Sequence, residues 1–188
     1  MKKTFLTLIL AVFAITVFAQ NEENNIRVPN GYQGFLEEGN SWHFDKEMTT
    51  TIQLSTTHGF YFNDRIYAGL GVGFEFNSDY FLMPFYTNLR YVFINNKSVS
   101  PILSLRLGSY ISDNMGAYGD LAFGVRFASK RDFAVTVLVA GTYYDKLKYN
   151  YSIDNSYYDD EGEWHYEYET VEKTVNPSGI SLRVGIEW

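Results

Sequence analysis

From Pro177 to Trp188 the sequence alternates residue by residue. Ile180, Leu182, Val184, Ile186 and Trp188 fall on one side of a strand, and Gly179, Ser181, Arg183, Gly185 and Glu187 on the other. A half-buried strand of a soluble protein would show the same alternation. The constraint comes from its recurrence along the whole chain, with small and charged residues mostly opposite bulky apolar ones. In the third stretch Ile66, Ala68, Leu70, Val72, Phe74 and Phe76 oppose Tyr67, Gly69, Gly71, Gly73 and Glu75. In the fifth, Leu103, Leu105, Leu107 and Ile111 oppose Ser104, Arg106, Gly108 and Tyr110. A soluble ligand-binding barrel would be apolar inside and polar outside. The opposite arrangement, with a greasy exterior and a polar interior, suits a barrel that spans a membrane.

Eight such stretches are expected as strands: Gly31 to Trp42, Thr49 to Phe62, Ile66 to Phe76, Leu82 to Ile94, Val99 to Ile111, Ala117 to Ala128, Phe133 to Tyr144 and Pro177 to Trp188. Most reach the roughly 9–11 residues of a tilted transmembrane strand. Asn63-Asp64-Arg65, Asn95-Asn96-Lys97-Ser98 and Ser129-Lys130-Arg131-Asp132 read as short polar hairpin turns. The alternate connections are His43 to Met48, Asn77 to Phe81, Ser112 to Gly116 and the long Asp145 to Asn176. Short periplasmic turns and longer external loops are the asymmetry of outer-membrane barrels. The expected fold is all-β, an eight-stranded antiparallel transmembrane β-barrel with an apolar lipid-facing exterior and a lumen filled by polar side chains. The first and last strands close it.

Upstream, Lys2 and Lys3 precede the apolar run Phe5 to Ala19, which is too short for a membrane span and ends on a small residue. It reads as a secretory signal peptide, residues 1–19. Residues 20–30 are then a short periplasmic segment and 31–188 the barrel. No later apolar run approaches the roughly 20 residues of a spanning helix. With no cysteine, disulfide frameworks and thiolate metal sites are excluded. Removing the two signal lysines leaves 13 basic against 22 acidic residues, a net charge of −9, which argues against nucleic acid as a partner.

The residues that open the barrel, Gly31-Tyr32-Gln33-Gly34-Phe35-Leu36-Glu37, are followed by Gly69-Leu70-Gly71-Val72-Gly73 and by Pro84-Phe85-Tyr86-Thr87-Asn88-Leu89-Arg90-Tyr91. With the terminal aromatic, they resemble the small outer-membrane β-barrel proteins of Gram-negative bacteria, the OmpA/OmpX-like group. The resemblance spans Gly31 to Trp188 and carries no catalytic motif. It implies residence in the cell outer membrane, contact with its lipid and lipopolysaccharide, and Trp188 as the end of a signal read by the barrel-insertion machinery. The group is functionally mixed, comprising structural barrels, adhesion and serum-resistance proteins, and a few lipid-modifying enzymes.

Alternation assigns eight charges to the lumen: Glu37, Glu75, Arg90, Arg106, Asp120, Arg126, Arg183 and Glu187. A lone charge in a narrow low-dielectric lumen is costly, so these four acids and four arginines are expected to pair. Glu37 and Arg183, both near mid-height on the seam strands, are the pair expected across the closure. Eight strands leave a lumen just wide enough for side chains to fill, which favours a plug over a conduction path. Glu37 and Glu38 are adjacent, so one of them must take the unfavourable face or lie near a rim. The inward glycines 69, 71 and 73 have no following helix or Lys-Ser/Thr pair and are not a phosphate loop. They make room for large inward neighbours.

His43, His58 and His165 show no metal-ligand spacing. Ser41-Trp42-His43, with Asp45 and Glu47, is the one sequence-local group of a serine, a histidine and acids. It is a candidate rim hydrolase site, against the simpler reading of a polar loop. Asp145 to Lys173 holds nine acids and three lysines, with Tyr149, Tyr151, Tyr157, Tyr158, Trp164, Tyr166 and Tyr168. Acidic disordered loops usually lack aromatics, whereas Tyr and Trp supply contact area at low entropic cost. Aromatic and Val positions interleave with Glu and Lys from Trp164 to Val175, which suggests a hairpin standing above the membrane. Calcium at Asp154, Asp159, Asp160 and Glu161 does not fit EF-hand spacing. The expected function is therefore non-enzymatic, without cofactor or metal: a barrel presenting an acidic, Tyr-rich loop to an external protein or glycan, or serving envelope structure. A narrow solute channel and a lipid-modifying enzyme are the alternatives.

Overall fold

The structure, a computed structural model, describes residues 30–45, 50–76, 81–94, 97–112, 115–129, 133–158, 163–166 and 168–188. The expected signal peptide and nearly all of the 20–30 segment lie outside the described residues. Among the described residues twelve strands follow in order: β1 Gly31–His43, β2 Thr51–Tyr61, β3 Ile66–Phe76, β4 Phe81–Val92, β5 Val99–Ile111, β6 Met115–Ala128, β7 Ala134–Tyr144, β8 Leu147–Asp154, β9 Tyr157–Tyr158, β10 Trp164–His165, β11 Tyr168–Val175 and β12 Ser178–Glu187. Eight of them close into an antiparallel barrel in the order β1-β12-β7-β6-β5-β4-β3-β2. Each barrel strand begins and ends within two residues of the expectation from alternation.

The wall obeys the two-residue period. Leu103 and Leu107 are 37% and 53% exposed on the outside, while Ser104 and Arg106 between them are buried inside. Outward side chains include Leu70, Phe85, Leu89, Leu121, Phe123, Val139 and Ile186, all exposed. The large apolar side chains thus face away from the molecule's interior, as lipid contact requires. Aromatics gather near the two strand ends: Tyr32, Phe60, Phe62, Phe93 and Trp188 at the short-turn end, and Trp42, Phe44, Phe76, Phe81 and Tyr143 at the other.

The seam is a full ladder. β1 pairs with β12 from Phe35↔Glu187 to His43↔Gly179. Backbone bonds between Gly34 and Trp188, both 3.0 Å, carry it one residue further. The Trp188 ring lies over Gly34, where an added Cβ would sit 2.7 Å from two indole carbons. His58 meets the same ring edge to face at 6.1 Å and hydrogen-bonds the Tyr32 hydroxyl at 2.7 Å. Of the two adjacent acids, Glu37 points inward and is buried. Glu38 takes the outward side between Leu54 and Val184, half-buried there.

Beyond the barrel wall, β7 and β12 hand over to a second antiparallel pair, β8 with β11, in register from Leu147↔Val175 to Asp154↔Tyr168. The handover is a kink. Lys146 adopts a positive φ of 58°, and its N–H donates to the Asn176 side-chain carbonyl at 2.7 Å. Non-glycine residues reach this region only at a cost, so the Asn176 bond helps to hold it.

Candidate functional site: a filled lumen and an aromatic ribbon

Inward side chains build the lumen in tiers. Phe35, Tyr61, Tyr67, Val92, Ile102, Ala122, Leu138 and Ala140 form one buried cluster toward the short-turn end. Leu82, Tyr86, Tyr110, Tyr118, Tyr144 and Leu147 form another toward the ribbon. Between and around them run the charges. Glu37 takes two arginines on one carboxylate oxygen: Arg90 at 3.0 Å and, closer still, Arg106. Arg126 grips Glu187 through both carboxylate oxygens at 2.7 and 3.0 Å, and Arg183 meets Asp120 at 2.9 Å. Glu75 accepts a hydrogen bond from the Tyr144 hydroxyl. Arg90 also lies over the Phe35 ring at 3.8 Å, and Arg106 over the Tyr86 ring at 4.7 Å. All eight of these charged residues are at most 4% exposed.

The expected Glu37–Arg183 pair is not how the seam is built. The register sets Glu37 opposite Gly185 and Arg183 opposite Gly39. Each long side chain lies over the glycine facing it. An added Cβ at Gly185 would collide with Glu37 Cγ, and one at Gly39 would meet Arg183 Cγ at 2.6 Å. The two heads then leave the seam, Glu37 toward β4 and β5 and Arg183 toward β6. Gly69 and Gly71 do for Tyr67 and Tyr86 what these two do for the seam charges, since the tyrosine rings occupy the space their Cβ atoms would need. The arrangement can neutralise charge and stiffen the wall. Buried rings and ion pairs fill the described lumen at both of its tiers.

The Ser41–His43 group does not assemble as a nucleophile and base. Both residues take the inward face of β1. Ser41 is fully buried, and its Oγ has no hydrogen-bond partner among the described residues. His43 Nε2 lies 3.5 Å from Thr51 Oγ1, and the ring stands edge to face with Tyr144 at 6.2 Å. Glu47 lies outside the described residues.

The ribbon is the contrasting part. Its base is anchored: Leu147 is fully buried in the upper tyrosine cluster, and Val175, its cross-strand partner, packs against the same cluster. Above, Tyr168, Tyr166, Trp164 and Tyr157 are 62%, 75%, 42% and 51% exposed. Tyr157 stacks on His165 with centroids 5.4 Å apart, and Trp164 stands edge to face with Tyr166 at 6.0 Å. Tyr149 sits opposite Lys173 and Tyr151 opposite Val171 in the β8–β11 register, and Tyr158 opposite Trp164 in β9–β10. An exposed ion pair, Lys148 to Glu172 at 2.6 Å, ties the two long strands. Of the four acids considered for calcium, Asp159, Asp160 and Glu161 lie outside the described residues. The sequence pattern points to a hairpin from the Trp164–Val175 half alone. Its partner strand β8 carries the same period-two signal, Leu147, Tyr149, Tyr151 and Ile153 alternating with Lys148, Asn150, Ser152 and Asp154, and that alternation is the cue for the second half of the hairpin.

No protein-family model matches this chain, and no curated protein matches it. Among solved structures it is similar to Neisserial surface protein A, with 13% identity over 83% of this chain and 94% of that one and a TM-score of 0.57. It is also similar to the N-terminal β-barrel domain of OprF from Pseudomonas aeruginosa, with 13% identity, coverage of 85% and 99%, and a TM-score of 0.48. A major outer membrane protein from Thermus thermophilus is similar at 11% identity, with coverage of 84% and 99% and a TM-score of 0.46. At these identities the likeness is one of fold, and the first of the three carries it. The closed eight-stranded antiparallel wall, its apolar exterior and this likeness give the chain the fold of the small outer-membrane β-barrels.

Proposed function

We propose that this protein is a non-enzymatic surface barrel of the outer membrane, exported by a cleaved signal peptide, whose β8–β11 ribbon binds an external protein or glycan. The observation that carries this is the ribbon: exposed Tyr157, Trp164 and Tyr168 on paired strands, with exposed Tyr166 between the last two, set apart from the barrel wall. Eight residues per strand extend the hairpin by about 25 Å at ~3.3 Å per residue. Exposed aromatics held by pairing lose little freedom on binding, which is what makes such residues anchors. The surrounding acids repel acidic partners and steer basic ones. A lumen plugged by paired charges and tyrosines favours this reading over a solute channel. The unassembled Ser41–His43 group favours it over a lipid hydrolase.

In this reading Trp188 ends the signal taken up by the insertion machinery, and the wall sits in phospholipid and lipopolysaccharide. The test is capture of surface and host components by the intact barrel compared with a barrel lacking residues 152–172. Loss of capture by the shortened barrel supports the proposal. Unchanged capture, together with a measurable conductance or altered lipid A in a deletion strain, replaces it with one of the alternatives.

A further inference from the structure

The short-turn end of the barrel carries a shallow cavity of about 460 Å³, wide open to its surroundings and lined by Asn63, Asp64, Arg65, Ile66 and Tyr91. Its frame is fixed by local bonds. The Asn63 side-chain carbonyl accepts from the N–H of Arg65 at 2.9 Å and of Ile66 at 2.8 Å. Phe62 N–H donates to the Ile66 carbonyl at 2.9 Å, and Val92 N–H to the Arg65 carbonyl at 2.8 Å. A side-chain cap of this kind stiffens a turn. One wall of the cavity carries a cation and an anion side by side, Arg65 and Asp64, both exposed. The other wall belongs to the membrane face. Ile66 and Tyr91 are cross-strand partners, and the same outward row continues through Leu103 to Phe123. Tyr91 stands edge to face with Phe93 at 5.0 Å, in the ring of aromatics at this end. Such rings mark the level of lipid headgroups.

A ligand that satisfies all of this has a phosphate, a protonated amine and an apolar tail. We propose that this cavity binds the headgroup of an aminophospholipid of the phosphatidylethanolamine class, with Arg65 on the phosphodiester, Asp64 accepting from the primary ammonium and the acyl chains over Ile66 and Leu103. Guanidinium to phosphate and ammonium to carboxylate are both charge-assisted contacts, the stronger kind of hydrogen bond. Free phosphate leaves Ile66 and Tyr91 unused and meets the Asp64 carboxylate. A choline headgroup has no N–H to give Asp64, and a glycerol headgroup has no cation. The site lies at the opposite end of the barrel from the ribbon and is independent of what the ribbon binds.

The experiment uses the delipidated full barrel in mixed micelles containing phosphatidylethanolamine, phosphatidylcholine or phosphatidylglycerol, with retained lipid counted by native mass spectrometry. The expected result is retention of the ethanolamine lipid roughly tenfold above the other two, the effect of one charge-assisted contact. Asp64→Asn should erase the preference for ethanolamine over glycerol headgroups. Arg65→Gln should lower retention of both roughly tenfold, whereas Lys97→Gln on a neighbouring short turn should change neither. Folding of each variant is checked by heat-modified mobility. Should Arg65→Gln misfold, the headgroup ratio of Asp64→Asn decides by itself. Equal retention of the three lipids by the wild type, an unchanged ratio in Asp64→Asn, or displacement of the ethanolamine lipid by millimolar inorganic phosphate would overturn the proposal.

Discussion

The lumen and the ribbon hold nearly the same residue types, carboxylates, cations and tyrosines, and use them in opposite ways. In the lumen Tyr110 and Tyr144 are fully buried and Glu37 carries two arginines. On the ribbon Tyr166 is 75% exposed, and the side chains of the Lys148–Glu172 ion pair are 38% and 55% exposed. The difference is the dielectric around each group. A charge sealed between strands must be matched within a few ångströms, because its hydration has been taken away. A charge on the ribbon keeps its water and is close to neutral for stability. The lumen therefore commits its polar residues to the fold, and the ribbon leaves its own in solvent.

The largest expected effect tests the lumen half of that contrast. Glu37→Gln removes the carboxylate shared by Arg90 and Arg106 and leaves two buried guanidinium groups without it. Breaking a buried pair in this way typically costs about 3–5 kcal/mol. The heat-modified gel transition should drop sharply. Glu172→Gln on the ribbon should move it little, in line with the ~0–1 kcal/mol of exposed pairs. Equal shifts for the two would erase the distinction between the regions.

Next comes the boundary between them. Leu147 belongs to the ribbon by chain position and to the barrel by packing, being fully buried among Leu82, Tyr86, Tyr110, Tyr118 and Tyr144. Leu147→Ala should cost about 2–5 kcal/mol, as in other buried Leu truncations. Ile153→Ala, further out on the same strand and 36% exposed, should cost well under half of that. Denaturant titration of the two variants in detergent gives the comparison. A small effect at Leu147 would move the boundary down to Tyr144.

The wall offers a smaller and cleaner contrast, between glycines on its two faces. Gly185 faces inward, with Glu37 Cγ against the place where a Cβ would lie and Thr136 Oγ1 2.9 Å from it. Gly141 faces outward, with nothing within 4 Å. Gly185→Val should destabilise by about 1–3 kcal/mol through overpacking. Gly141→Val should be neutral or slightly stabilising, since it adds an apolar group where lipid contacts the wall and a β-branched residue to a strand. A lowered heat-modified gel transition for Gly185→Val, with Gly141→Val near wild type, is the expected result.

Much of this was legible in the sequence because the barrel has a period of two and no other choice of face. Ile180 to Trp188 declare the outer side of β12, and the strand ends follow from Asn63-Asp64-Arg65 and similar turns. Pairing partners inside the lumen were not legible. Alternation says that Glu37 and Arg183 both point inward, but it does not say how far each strand is staggered against its neighbours. The stagger sends Glu37 across to β4 and β5 instead of along the seam. Nor did the sequence mark the kink at Lys146 and Asn176, where one continuous hairpin divides into wall and ribbon. Asp64, Arg65 and Tyr91 are in the same position: the turn was readable, while the cavity it forms with Tyr91 needed the β3–β4 register.

The smallest stability effect, and the one most telling for function, belongs to the ribbon aromatics. Replacing Tyr157, Trp164, Tyr166 and Tyr168 together with Ser removes four exposed rings and leaves intact the β8–β11 ladder, the Lys148–Glu172 pair and the Leu147 anchor. Surface substitutions of this kind usually fall within about 0.5 kcal/mol each. The gel transition and the yield of folded barrel should therefore stay near wild type. Binding to the external partner should fall at least roughly tenfold, because exposed aromatics of this kind are the residues that carry interfaces. Residual binding should weaken further as salt rises, since the acids left on the ribbon still steer the encounter and screening shortens their reach to about 8 Å at physiological ionic strength. A variant that binds as the wild type does would leave the ribbon with no more than a structural part. A variant that fails to fold would mean that the rings support the wall, and the contrast between a lumen that holds and a ribbon that reaches would be gone.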